Sequence, residues 1–131
     1  MVSDPIGDYI IRLQNAGRSG RSVVDAPYSK LRHAVADKLC SAGYLSEVVV
    51  EGGGTSKILK SVLTYTKDGN PAINGVKRVS KPGRRIYQKV QDIYPVKFGR
   101  GEVILSTPAG LMTGSEARSQ NMGGEQLFII W

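Results

Sequence analysis

The sequence predicts an α+β protein made of two small two-layer modules, and three observations carry that prediction. In the first third of the chain, two stretches repeat apolar residues at spacings of three and four, and each is followed by a β-rich run. The second half is instead cut into short β segments by Pro and Gly at 71, 82–83, 99–101, 108–110 and 123–124. Helices with one apolar face need a sheet to cover, which favours two layers over a bundle. The modules expected are 1–70, helix–strand–helix–strand–strand, and 71–131, mostly β with one short helix.

The first helix starts at Asp4-Pro5, because Pro suits the first helical position and Asp caps it. Ile6, Tyr9, Ile10 and Leu13 form its apolar face, and Asn15-Ala16-Gly17 ends it. Val23-Val24 is a short strand before Pro27. A second helix begins near Ser29, with Leu31, Ala34, Val35, Leu39 and Ala42 at helical spacing and Gly43 as its left-handed stop. Strands follow over 44–51, closed by Gly52-Gly53-Gly54, and over 57–66, closed by Asp68-Gly69-Asn70.

In the second module the expected strands are 73–79, 85–89, 102–107, 111–112 and 125–131. Thr113 and Glu116 have capping-box spacing, which predicts a short helix through about residue 120. The last strand is apolar on both faces, which places it centrally or against a neighbour. Lys81-Pro82-Gly83-Arg84 reads as a turn with positive φ at Gly83, joining two strands into a basic hairpin.

Length and composition narrow the function. A chain of 131 residues with 40% hydrophobic and 22% charged residues can bury a core without metals or disulfides. No stretch is apolar enough to cross a bilayer, and the start MVSDPIGDYI does not read as a signal peptide. Cys40 is the single cysteine, read as a small buried hydrophobe in a reducing, cytoplasmic setting. With one histidine, His33, there is neither a zinc ligand set nor a Cys/His pair at catalytic spacing; no metal, cofactor or enzymatic activity is expected.

The net charge of +7 favours a polyanionic partner. Residues 1–70 carry nine Lys/Arg and seven Asp/Glu, whereas 71–131 carry nine and four. From Lys77 to Lys89 there are six basic residues and no acidic one. A turn at 81–84 would gather Arg78, Lys81, Arg84 and Arg85, with Tyr87 on the face of Arg85 as a stacking surface. RNA is the partner this pattern suits best; a membrane, an acidic protein or plain solvation are its alternatives. Ser106 and Thr107 either read a base edge or ribose without charge, or cap the Pro108 turn locally. Gly123-Gly124 either exposes N–H groups or bends the chain into the last strand, and Glu125 is suited to orienting a base, hydroxyl or arginine. The loop Arg18–Arg21 is equally a backbone contact or ordinary solvated surface.

Five stretches carry a family resemblance: DPIGDYIIRLQNAG at 4–17, SKLRHAVADKLCSAGYL at 29–45, RVSKPGRRIY at 78–87, GRGEVILSTPAGLMTGSEAR at 99–118 and GGEQLFIIW at 123–131. Together they resemble, over nearly the whole chain, the family of the eighth protein of the small ribosomal subunit in its bacterial or organellar form. That resemblance implies binding to an irregular helix in the central domain of small-subunit rRNA, mostly by the C-terminal module, and a role in assembly. It implies that Ser106 and Thr107 contact bases or ribose, with Gly124, Glu125 and Tyr87 beside them. Ser29 and Lys30 would add phosphate contacts from the N-terminal module. Neighbouring ribosomal proteins are further implied partners, as is the messenger RNA of the protein's own operon in members that repress translation. The sequence departs from the family's usual Ser-Thr-Ser at Pro108, which lacks both a hydroxyl and an N–H. A non-ribosomal RNA-binding regulator is the alternative function.

Overall fold

A computed structural model describes residues 4–93 and 101–131. The turn expected around Gly99-Arg100 lies outside the described residues. The chain divides into two compact units, Pro5–Asn74 and Gly75–Trp131, with Asp4 belonging to the second. Residues 71–74 stay with the first unit because the chain doubles back after the turn at 66–70. Pro71 bridges to Tyr65, and the Ala72 N–H donates to the Thr64 carbonyl at 2.9 Å.

In the N-terminal unit, α1 (Pro5–Arg18), β1 (Val23–Pro27), α2 (Lys30–Ser41), β2 (Leu45–Glu51) and β3 (Ile58–Leu63) follow in the expected order. α1 runs past the expected stop at Gly17, and buries Ile6, Tyr9, Ile10 and Leu13. α2 departs from its expected face. Its buried residues are Val35, Ala36 and Leu39, while Leu31, Ala34 and Ala42 lie exposed and Cys40 is only half-buried. The apolar stripe is narrower than the run of hydrophobic letters, because alanine is small enough to sit on either side of a helix. Gly43, at φ +92°, ends the helix in the left-handed conformation that glycine adopts most cheaply.

The three strands form an antiparallel sheet in the order β1-β3-β2. Val24, Ala26, Leu59, Ser61 and Leu63 point to the helical side. There the Tyr9 hydroxyl meets Ser61 Oγ in a fully buried hydrogen bond. Burial raises the Tyr9 pKa to about 12, against the lowering effect of the Ser61 hydrogen bond.

The C-terminal unit contains β4 (Val76–Arg78), β5 (Tyr87–Gln88), β6 (Glu102–Thr107), β7 (Gly110–Thr113), α3 (Gly114–Ser119) and β8 (Gly124–Ile130). The apolar β8 is central: it pairs with β6 on one side and with both β4 and β5 on the other. Both halves of the Thr113/Glu116 capping box form at the start of α3. One sheet face packs Val103, Leu105 and Met112 with Ala117 of α3 and Ile93. The other face carries Ile104, Phe128 and Ile130, fully buried.

Candidate nucleic-acid interface

Strand alternation and register decide which side chains share a surface. Tyr87 of β5 lies opposite Glu125 of β8, and Glu125 lies opposite Ser106 of β6. Opposed residues in antiparallel strands point the same way, so these three form one row across the sheet. They share a face with Ile104 and Phe128, but at the end where the sheet opens to solvent. Tyr87 is 71% exposed there. The Ser106 hydroxyl makes no hydrogen bond to another described residue, which leaves both its donor and its acceptors for a ligand.

The basic segment is not the expected hairpin. β4 and β5 never pair with each other; they are two pieces of one edge strand running along β8. The N–H groups of Val79 and Ser80 continue the β4 ladder onto Leu127 and Gln126, and the Gln126 N–H picks up the chain again at the Ile86 carbonyl. Between these points residues 81–85 loop out of the strand. Lys81 and Arg84 close the loop with reciprocal backbone hydrogen bonds of 2.8 and 2.9 Å across Pro82-Gly83. Gly83 does not take the positive φ expected of it. The loop's neck is held by buried Ser80, whose Oγ accepts from the Ile86 N–H at 2.9 Å and donates to the Ile86 carbonyl at 3.2 Å.

This geometry separates the cations into two kinds. Arg78 is half-buried and forks onto the Asp4 carboxylate at 3.0 and 3.1 Å, with a further bond to the Leu127 carbonyl. Its guanidinium is occupied inside the unit. Lys81 and Arg84 are exposed and have no ion pair with a described residue. Arg85 lies between: 61% exposed, it reaches Glu125 at 3.3 Å, while the carboxylate itself is mostly covered. Glu125 therefore orients an arginine, one of the roles open to it from sequence.

Ser106 and Thr107 part company. As neighbours on one strand they point to opposite faces. Thr107 is 8% exposed, and its hydroxyl donates to the Gly110 carbonyl at 2.7 Å and accepts from the Ala109 N–H at 3.2 Å. It fastens the turn containing Pro108, which is the local capping alternative. The glycine pair is also structural: a Cβ on Gly124 would lie 2.3 Å from the Ser106 carbonyl oxygen, and one on Gly123 2.5 Å from that of Gln88. These glycines let β8 approach both neighbours closely.

In the N-terminal unit, Ser29 is the N-cap of α2, its hydroxyl accepting from the Arg32 N–H at 3.0 Å. Lys30 is exposed in the first turn. Two residues passed over in the sequence lie nearby. The Tyr28 N–H donates to the Lys57 carbonyl at 3.1 Å, and the Lys57 ammonium sits 5.3 Å from the centre of the Tyr28 ring. The pairing of Pro27 with Ile58 carries 28 and 57 together, which no local sequence pattern marks. Among the described residues no three His, Cys, Asp or Glu side chains gather as metal ligands, and no helix is long and apolar enough to span a membrane.

The open end of this sheet thus brings together an exposed tyrosine, a serine hydroxyl without a hydrogen bond to another described residue and a looped-out cationic turn. Comparison with known proteins makes the class specific. The family model described as ribosomal protein S8 matches residues 4–131. Similar curated proteins include the small ribosomal subunit protein uS8 of Streptococcus mutans, 39% identical over 100% of this chain and 99% of the relative. Those of Roseiflexus castenholzii and Pelodictyon phaeoclathratiforme are 44% and 45% identical over 99% of this chain and 98% of theirs. The chain belongs to the ribosomal protein S8 family of the small ribosomal subunit, as a structural protein and not an enzyme.

Proposed function

We propose that the C-terminal unit binds an irregular helix in the central domain of small-subunit rRNA and thereby supports assembly of the subunit. The observation that carries this reading is the open row Tyr87–Glu125–Ser106 beside the 81–85 loop. Lys81, Arg84 and Arg85 supply the long-range, salt-dependent attraction to phosphates, which does not distinguish sequences. Tyr87 offers a stacking face, and the Ser106 hydroxyl reads a ribose or base edge. Thr107 and Gly124 act indirectly, by fixing the turn and the strand spacing that present Ser106. Arg78 braces the edge strand. Ser29, Lys30, Tyr28 and Lys57 of the N-terminal unit add a backbone contact at the positive end of the α2 dipole. A messenger RNA with the same distorted helix would fit the same row, as in members of the family that repress their own operon.

Filter-binding titrations across salt test the division of labour. Ser106→Ala should reduce the preference for the cognate helix over an unrelated duplex while leaving the salt slope intact. Arg84→Ala should weaken binding to both RNAs and lower the slope by about 1. Identical behaviour of the two variants would overturn it.

A further inference from the structure

The N-terminal sheet has a second face that neither helix covers. Its register places nine residues there in three rows: Val23, Val62 and Glu47; Asp25, Lys60 and Val49; Pro27, Ile58 and Glu51. The burial pattern agrees, since Val24, Ala26, Leu59 and Ser61 alternate to the opposite, buried side. Five of the nine are apolar, and Val23 and Ile58 are 43% and 42% exposed. At the Pro27–Ile58 end a hollow of about 430 Å³ opens, bounded also by Asp25, Thr55, Ser56 and Lys57.

The charge on this face opposes that of the molecule. Against the chain's +7, the nine positions hold Asp25, Glu47 and Glu51 with one cation, Lys60, which is bound to Glu51 at 3.2 Å, and Lys57 stands only at the rim of the hollow. Phosphates would meet a net negative, partly apolar surface, so this side is poorly suited to RNA. A second copy would bring like charges together. The complementary occupant is a protein segment that alternates apolar side chains with lysine or arginine. Such a segment covers the valines and Ile58 while its cations reach Glu47, Asp25 and the outer oxygen of Glu51.

We propose that the exposed β1-β3-β2 face docks a basic, apolar segment of another protein of the assembled small subunit. The inference rests on family membership and not on the RNA reading of the C-terminal row. Small subunits isolated from cells carrying this chain as their only copy, and the free purified chain, would be treated with a water-soluble carbodiimide. In one arm glycine ethyl ester is added, so exposed carboxylates are labelled; in the other it is omitted, so carboxylates join only to amines already touching them. Labelling of Glu47 and Asp25 should fall at least fivefold in the subunit, and without the ester they should link to a lysine of a different protein. Glu47→Lys, at an exposed strand position, should leave the melting curve of the free chain and its RNA affinity unchanged while abolishing the link made through position 47. Equal labelling in both states would overturn the proposal. So would protection accompanied only by nucleotide crosslinks at 58–62, or links only to a second copy of this chain. Loss of RNA binding by Ser106→Ala or Arg84→Ala, or its absence, would change none of these readouts.

Discussion

Gly124 shows how one missing methyl group sets the geometry of the interface. The space its Cβ would need is filled by backbone of β6, which has no rotamer to yield. Gly124→Ala should cost about 1–3 kcal/mol and part β8 from β6 at the Ser106 end; a fall in melting temperature with faster amide exchange at 105–107 checks it, and an unchanged melt would refute the packing. Tyr9 gives a second residue-scale outcome. Its phenol titrates higher folded than unfolded, so the stability it contributes is complete below about pH 10 and fades as pH climbs to about 12, at about 1.4 kcal/mol per pH unit. Tyr9→Phe strands the buried Ser61 hydroxyl and should cost about 1–3 kcal/mol at neutral pH. The gap between the two proteins in urea melts should narrow between pH 8 and pH 11; a constant gap would contradict the buried neutral phenol. Both roles of Glu125 and Thr107 stood among the sequence alternatives, but only register chose between them. The opposite orientations of Ser106 and Thr107 were legible from strand alternation alone.

At the scale of elements, helices and caps were readable because they are local. The spacing of Ile6, Tyr9, Ile10 and Leu13 and the Thr113/Glu116 pair encode their own partners. The basic segment was not, since Pro82-Gly83 marks a corner without saying what its flanks pair with. The flanks pair with β8, roughly forty to fifty residues downstream, and a hairpin became an excursion from a single edge strand. The excursion depends on its neck. Ser80→Ala removes both side-chain bonds to Ile86 and leaves that N–H without its partner, a loss of about 1–3 kcal/mol. Amide exchange at Ile86 should quicken several-fold and RNA affinity should fall although no cation is removed. Unchanged exchange at Ile86 would show that the loop is held elsewhere.

Over the whole molecule, charge is divided by surface as well as by sequence. The excess of cations after residue 70 was visible as a count, and three of them, Lys81, Arg84 and Arg85, flank the open end of the C-terminal sheet. The acidic face of the N-terminal sheet was not visible, because Asp25, Glu47 and Glu51 meet only through pairing with β3. Family membership makes the chain a ribosomal constituent, while the proposal that it recognises a distorted duplex rests on the row Tyr87–Glu125–Ser106. The most direct test is ultraviolet crosslinking of this protein to rRNA within assembled small subunits, with the linked residues mapped by mass spectrometry. Links are expected at Tyr87, at Ser106 and within 81–85, joined to nucleotides of one irregular helix. Links confined to the N-terminal sheet face, with 81–87 and 106 untouched, would contradict it.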